Sequence, residues 1–418
     1  MIAAPKIKIY ITEVARIILA ATFLFSSIVK AIDPEGTAIK VSEYLYAFGW
    51  SSLSSWSMAL GILLIFCEFL VGACLLIGVW KRLTAISTFC FLLFFTILTL
   101  YSLLYDPVKE CGCFGDAIKL TNLQTFCKNI FLLALSVLFL RTHRLAQGAY
   151  KSIYIQYTLV LLAIVSFSFF TWQNKNHLPM IDFRPFRVDS KLSDLVLVPE
   201  GAPADVITYE FIYEKNGEKK SFSMENLPDE SWTFVERKET IKQVGYRPPV
   251  TDFALFEGSH DITEQLLRNT STDMLWIVSP NWEKASKRVV PELNTLYEVA
   301  QTNGILCYGI SGSSPATTGR WKNATHALYP TLLLDATTCK TMVRGNPSII
   351  FIKNGRIHAK INAKDLLKEP DIQTFVRATF NNPPRHEPYL LRTLPLVVWI
   401  LITLVGLLVS PEYKRQID

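Results

Sequence analysis

The chain has no block of basic residues interleaved with aromatics, and its net charge is only +6 over 418 residues. Both features speak against a nucleic-acid partner. Histidine is scarce, and none of the six lies near the cysteines of residues 111–127. A thiolate cluster there therefore has no imidazole to complete a four-ligand zinc or copper set, and no metal ligands are assigned. The apolar segments show no paired Gly- or Pro-broken helices, so the inverted repeats of a transporter are not indicated.

Half of the residues are apolar, and their distribution matters more than their number. Five apolar runs crowd into the first 172 residues and a sixth lies near the end. A spanning helix needs ~20 mostly apolar residues, because the hydrocarbon core is ~30 Å thick. The runs predict six spans, at 9–32, 55–80, 84–104, 123–140, 153–172 and 389–409. Lys6 and Lys8 precede the first run as they would in a signal peptide. Glu13 and Arg16 interrupt its core and no small-residue cleavage site follows, so a retained span is expected.

With the N-terminus inside, the inner segments hold Lys6, Lys8, Lys81, Arg82, Arg141, Arg144, Lys151, Lys414 and Arg415. The outer short loops hold Lys30, Lys40, Lys109, Lys119 and Lys128. That excess inside sets the orientation. Both termini are then cytoplasmic and the long polar segment is extracytoplasmic, on the outer side of a bacterial inner membrane. Trp80 and Trp172 sit at span ends, where interfacial aromatics belong.

The expected divisions are a five-span membrane domain (1–172), a β-rich segment (173–250), an α/β domain (251–385), and a sixth span with an inner tail (386–418). In the β-rich segment, alternating β-formers at 207–213 lead through Asn216-Gly217 into a return strand at 219–224. The next domain alternates its elements. Strands are expected at 274–278, 305–310, 331–334, 348–352 and 357–361, and helices at 283–300, 317–327 and 371–380. Such alternation predicts an α/β layer with crossover connections.

Within it, Asn346-Pro347 followed by Ser348-Ile349-Ile350-Phe351-Ile352-Lys353-Asn354-Gly355 resembles the thioredoxin fold. The resemblance implies a cis-proline before a strand that enters a hairpin, and a client-binding groove at Pro347. Thioredoxins carry Cys-x-x-Cys where the first central strand meets its helix. Here that place reads Ser279-Pro280-Asn281-Trp282. Attack on a disulfide needs a thiolate, so ordinary thioredoxin chemistry is excluded at that spot. Cys307 and Cys339 fall in or near strand-like stretches and read as core thiols.

Cys67, Cys74 and Cys90 lie within spans and read as helix-packing residues. Cys111 and Cys113 differ. They flank Gly112 in the loop before the fourth span, and Cys127 opens that span. A disulfide between Cys111 and Cys113 would close a small, strained ring, and strain makes a disulfide labile. Three readings stay open: a redox-active dithiol with Cys127 as resolving thiol, a structural disulfide to Cys127, and a metal site. In the first, Asp116 would raise the pKa of the neighbouring thiol, since a nearby anion disfavours a thiolate.

The element Cys111-Gly112-Cys113-Phe114-Gly115-Asp116 resembles the signature of the DoxX/MauE family of small membrane proteins. Phe25-Ser26-Ser27-Ile28-Val29-Lys30 with Asp33-Pro34 and Gly36 resembles that family's first-helix ending. The resemblance covers about residues 9–140. It implies a theme of thiol, sulfur and quinone redox chemistry or of protein maturation.

Ionisable groups inside spans default to functional candidates. Glu68 lies near the centre of the second span, and Glu13 and Arg16 lie in the inner half of the first. A buried Glu68–Arg16 pair is expected, with a Glu13–Arg16 pair or a proton or quinone-headgroup site as alternatives. Lys30 and Arg392 read as snorkelling residues at span ends. Two functions follow. One is thiol–disulfide exchange with an extracytoplasmic client protein, with a membrane quinone taking or giving electrons. The other is a non-catalytic scaffold, anchored in membrane lipid, that binds its partner near Pro347.

Overall fold

A computed structural model describes residues 3–106, 108, 112–147, 150–215, 217–382 and 389–409. The chain divides into two compact units, Met1–Arg184 with Pro384–Asp418, and Pro185–Pro383.

The first unit is helical. Its elements are α1 (Ala3–Ile32), α2 (Pro34–Ala47), α3 (Ser57–Ile77), α4 (Lys81–Tyr105), α5 (Asn122–Thr142), α6 (Ile153–Asn176) and the last helix of the chain, Tyr389–Val409. Among the described residues, five helical stretches are long and apolar enough to cross a membrane: Lys6–Ile32, Ser51–Ile77, Lys81–Tyr105, Asn122–Leu145 and Ile153–Asn176. The last helix contributes a shorter apolar stretch, Leu391–Leu407. The chain is thus a multi-pass membrane protein.

The buried stripe of α1 runs Thr12, Arg16, Leu19, Phe23, Ser26, Lys30. These steps of three and four residues keep one face toward its neighbours. Gly72 of α3 brings that helix close to α1. A Cβ there would lie 3.0 Å from Leu24 N and 3.1 Å from Phe23 Cβ. Small residues let helix backbones approach in this way. Phe69 of α3 stacks on Phe167 of α6 at 3.7 Å between centroids. Trp399 of the last helix reaches Phe69 at 5.5 Å and donates its Nε1–H to Leu159 O at 2.9 Å.

Helix α2 lies in what reads from sequence as a loop. Its start is nonetheless encoded: Asp33 accepts from Gly36 N at 3.0 Å, Pro34 opens the first turn, and Glu35 complements the helix dipole. Gly61 of α3 takes α2 close, with its would-be Cβ 3.3 Å from the Ala38 backbone.

The second unit holds α7 (Leu192–Val196), β1 (Val206–Lys215), β2 (Glu218–Ser223), β3 (Thr233–Gln243), β4 (Phe256–Glu257), β5 (His260–Asp261), α8 (Thr263–Arg268), β6 (Met274–Ser279), α9 (Val290–Thr302), β7 (Leu306–Ser311), α10 (Pro315–Thr325), β8 (Thr331–Leu333), α11 (Ala336–Met342), β9 (Ser348–Lys353), β10 (Arg356–Asn362) and α12 (Ile372–Asn381). One sheet runs β2-β1-β3 and is antiparallel. The other runs β10-β9-β6-β7-β8-β4-β5. Within it β6, β7 and β8 are parallel, and β9 and β10 are antiparallel additions.

Every residue of β6 is buried, which marks a central strand covered on both faces. Leu275 and Ile277 pack with Leu293 and Leu296 of α9 and Val376 and Phe380 of α12. Met274, Trp276 and Val278 face the other way, toward Leu266 of α8 and Met342 of α11. The Asn346–Pro347 peptide bond is cis.

Further elements depart from the sequence reading. The helix expected at 283–300 is α9, which begins at Val290 with Pro291 in its first turn and is preceded by two short 3-10 turns. Strand β3 escapes notice because Glu236, Arg237, Lys238, Glu239 and Lys242 hide any alternation. Helix α11 is too short for a periodic signal, although Asp335 caps it through Thr338 N. Asn216 of the hairpin turn lies outside the described residues.

Replacing Gly72 by valine should force α1 and α3 apart. We expect a loss of about 2 kcal/mol, measured as a lowered midpoint of unfolding in detergent, with Ala73→Gly as a control that leaves the contact open.

Candidate functional site

Ser26 and Lys30 are one turn apart on the buried stripe of α1, and both meet Glu68 near the middle of α3. Lys30 Nζ lies 2.8 Å from Glu68 Oε2 and 3.1 Å from Oε1. It also donates to Ser26 Oγ at 3.2 Å. Ser26 Oγ in turn lies 2.7 Å from Glu68 Oε1 and 2.6 Å from the carbonyl oxygen of Cys113. Its single proton is shared between two acceptors. Lys30 is 5% exposed and Glu68 7%, so the pair is desolvated and each charge depends on the other.

This network fixes the cysteine loop. Gly112 and Gly115 adopt φ of +68° and +54°, and Gly115 N donates to Gly112 O at 3.0 Å to close the turn. Phe114 then points between α1 and α5, edge-on to Phe25 at 5.4 Å and with Lys128 Nζ 4.2 Å above its ring. Cys113 borders a cleft of about 10 Å³ within its own loop and two cavities between the helices. The smaller, about 40 Å³, is bounded by Ser26, Lys30, Glu68, Phe91 and Asn129. The larger, about 290 Å³, lies among α1, α2, α3 and α4, with Asp116, Lys40 and Arg184 toward one end and Leu60, Leu64, Phe94 and Leu98 in its wall. That volume is at the lower end of the ligand-pocket range, ~300–1,000 Å³.

The expected site residues are thus only partly brought together. Cys113 shares the larger cavity with Asp116 and the smaller with Glu68. Cys127 is exposed on α5 and lines neither cavity. Cys111 lies outside the described residues. Cys67 and Cys90, read as packing residues, are exposed on the helix surface, whereas Cys74 is buried. Among the described residues no group of three or more His, Cys, Asp or Glu side chains is arranged to hold a metal. The sequence reading left out Ser26 and took Lys30 for a snorkelling residue. Their spacing of four, set against Glu68 across an antiparallel helix, was the available signal.

The expected Glu68–Arg16 pair does not form. Roughly 21 Å of helix separates Arg16 from Lys30, at ~1.5 Å per residue. The register of α1 against α3 sets Glu68 beside Ser26 and Lys30, and sets Arg16 beside the end of α3. Arg16 there donates to Leu75 O and, at 2.9 Å, to Leu76 O. It satisfies two carbonyls that a helix C-terminus leaves without partners. Its charge is met by Glu13, with Nε and Nη2 at 2.9 and 2.6 Å from Oε2. Glu13 Oε1 accepts from Gln147 N at 2.7 Å.

In the second unit, the place where a reactive pair would sit is closed by hydrogen bonds. Ser279 Oγ donates to Asn346 Oδ1 at 2.6 Å, and Asn346 Nδ2 donates to Asn281 O at 3.1 Å. Trp282 is buried and its backbone N–H donates to Ser313 Oγ at 2.9 Å. Pro347 is itself buried, and its carbonyl accepts from Ala363 N at 3.2 Å. Burial pushes the thiols of Cys307 and Cys339 up to about 12, far from the thiolate that exchange requires.

Residues 8–142 match the family model described as methylamine utilisation protein MauE, and residues 207–243 match one described as a domain of unknown function, DUF8463. The N-terminal region is therefore similar to MauE- and DoxX-like proteins. No curated protein matches the chain.

Two outcomes follow. Glu68→Gln should cost about 3–5 kcal/mol, because it leaves the Lys30 ammonium buried without its carboxylate. The double variant Lys30→Met/Glu68→Leu should recover most of that loss, and unfolding in detergent compares the two. The raised Cys307 and Cys339 thiols hold their protons in the folded domain at pH values where the unfolded chain has lost them. Their contribution is fully present below about pH 8.5 and declines as pH rises toward 12. Alanine at both positions should flatten that alkaline decline in a melting-temperature profile.

Proposed function

We propose that this protein is a non-catalytic membrane scaffold or assembly factor, whose bundle anchors a redox-inactive, thioredoxin-like domain that binds a client. The observation that carries this reading is the sequence Ser279-Pro280-Asn281-Trp282 after β6. It has no thiol, Ser279 and Asn281 are bonded to Asn346, and the Trp282 backbone N–H is bonded to Ser313. The core order β9-β6-β7, with β10 paired antiparallel to β9, supports the thioredoxin-like reading. The client surface is the rim around Asn281 and Asn346, since Pro347 itself is buried.

The bundle in this reading spans six times, with the last helix as the sixth span. Both termini face the cytoplasm and the α/β domain faces the outside of a bacterial inner membrane. The lysine and arginine bias of the short loops supports that direction.

A second reading is favoured by one observation: Cys113 lines both cavities and its carbonyl is held by Ser26, beside the Lys30–Glu68 pair. In it, the Cys111–Cys113 element exchanges disulfides with the client, Cys127 resolves, and a membrane quinone accepts or supplies the electron pair.

One experiment separates the two. A photo-crosslinking residue at position 281, in intact cells, should capture a client equally well in the parent chain and in a Cys111→Ser/Cys113→Ser variant. Mixed disulfides trapped by Cys113→Ser alone, together with loss of the crosslink in the double variant, would establish the exchange reading in its place.

A further inference from the structure

The larger cavity is lined by the membrane unit alone, and its charged groups are already engaged. Lys30 meets Glu68 at 2.8 Å, Lys40 meets Glu43 at 2.9 Å and Arg184 meets Asp182 at 2.8 Å. Asp33 turns Oδ1 to Gly36 N as the cap of α2, and Asp116 has a partner of its own. The Tyr44 hydroxyl lies 3.2 Å from Ser102 Oγ. What the wall still offers to a ligand is apolar surface, with Val41, Leu64, Leu98 and Phe183 among its residues.

The way in is from the bilayer. Leu60 and Phe94 line the cavity on two membrane-crossing helices and are 38% and 61% exposed. Roughly 16 Å of helix separates Phe94 from the end of α4 at Tyr105, at ~1.5 Å per residue. In a hydrocarbon core ~30 Å thick, that places the opening at acyl-chain depth. Trp50, between α2 and α3, stands in the lining near the ends of both helices, where interfacial aromatics belong. The cavity thus runs from interface to hydrocarbon, as a lipid chain does.

Such a space does not suit water, because apolar cavities stay dry. Left empty, it costs its walls the dispersion contacts that a filling would restore. A dry apolar cavity of ~150 Å³ takes up benzene, and at about 290 Å³ this one has roughly twice that room. The material that surrounds the opening at this depth is lipid hydrocarbon.

We propose that this cavity holds one acyl chain of a membrane phospholipid, which enters past Leu60 and Phe94, packs on Leu64 and Leu98, and is held without regard to its headgroup. The inference concerns the membrane unit alone and rests on neither functional reading.

The test uses the full chain in phosphatidylcholine nanodiscs with a trace of phospholipid that carries a photoreactive group on one acyl chain. The probe is made once with a choline head and once with a glycerol head. Both should label Leu64 and Leu98, which are half-buried, more heavily than Phe131 and Leu161, which are 57% and 61% exposed. Leu64→Trp, which fills the cavity, should abolish labelling at Leu98 and leave Phe131 and Leu161 labelled as before. Four outcomes would overturn the proposal: cavity positions labelled no more than Phe131 and Leu161, a strong preference for one head, labelling at Leu98 unchanged in Leu64→Trp, or protection of the cavity by an added isoprenoid quinone where the same amount of added phosphatidylcholine gives none. If Leu64→Trp lowers the melting temperature, Leu98→Trp read at Leu64 replaces it. If both unfold, the labelling pattern and the comparison of heads in the parent chain decide.

Discussion

A carboxylate in the middle of an apolar helix has to be answered from a neighbouring helix, and the Lys30–Glu68 pair is that answer. Burying either charge alone in hydrocarbon is costly. The two helices can therefore take only a register that brings Ser26 and Lys30 opposite Glu68. Gly72 makes the register sterically possible by admitting the backbone of Leu24. Charge and close packing specify the same alignment, and agreement between independent local choices is what gives a sequence one fold.

From that alignment the rest of the membrane unit follows. Once Ser26 faces Glu68, its hydroxyl also lies against the carbonyl of Cys113. The loop before α5 is thereby held at the end of the bundle. Its glycines turn the chain where a side chain would be strained. At the far end, the same register leaves Arg16 to cap α3 and Glu13 to hold Gln147. The polar residues of α1 thus do two jobs at two depths. One cluster saturates itself and closes the bundle, and the other borders open space.

How much of this was legible from sequence depended on the range of the interaction. The apolar helices could be read because each has its own composition. So could the strands of the larger sheet, since β6 and β9 are continuous apolar runs. Helix α2 was legible in principle from Asp33-Pro34-Glu35, a capping signal inside an apparent loop. The partner of Glu68 was not legible, because it depends on the register of two helices. Counting depth from the estimated span ends placed Arg16 too near. A shift of a few turns exchanges one partner for another, and the close packing at Gly72 selects between them. Strand β3 was hidden for another reason. Its charges belong to an exposed strand, where alternation carries no burial signal.

The two units also differ in how they treat their polar groups. In the α/β unit, Ser279 and Asn281 bond Asn346 across the end of β6 and the chain before β9, and the Trp282 backbone N–H bonds Ser313. The remaining thiols are buried. Such an arrangement holds loops in place and presents no exposed thiol among the described residues of that unit. In the membrane unit, the Lys30–Glu68–Ser26 network borders two cavities and a cysteine whose carbonyl it grips. Lys40, in the lining of the larger cavity, packs against the Gly112 turn that precedes Cys113. The buried ion pair and the cavities thus cluster at that end of the bundle, whereas the polar groups at the end of β6 hold one another in place.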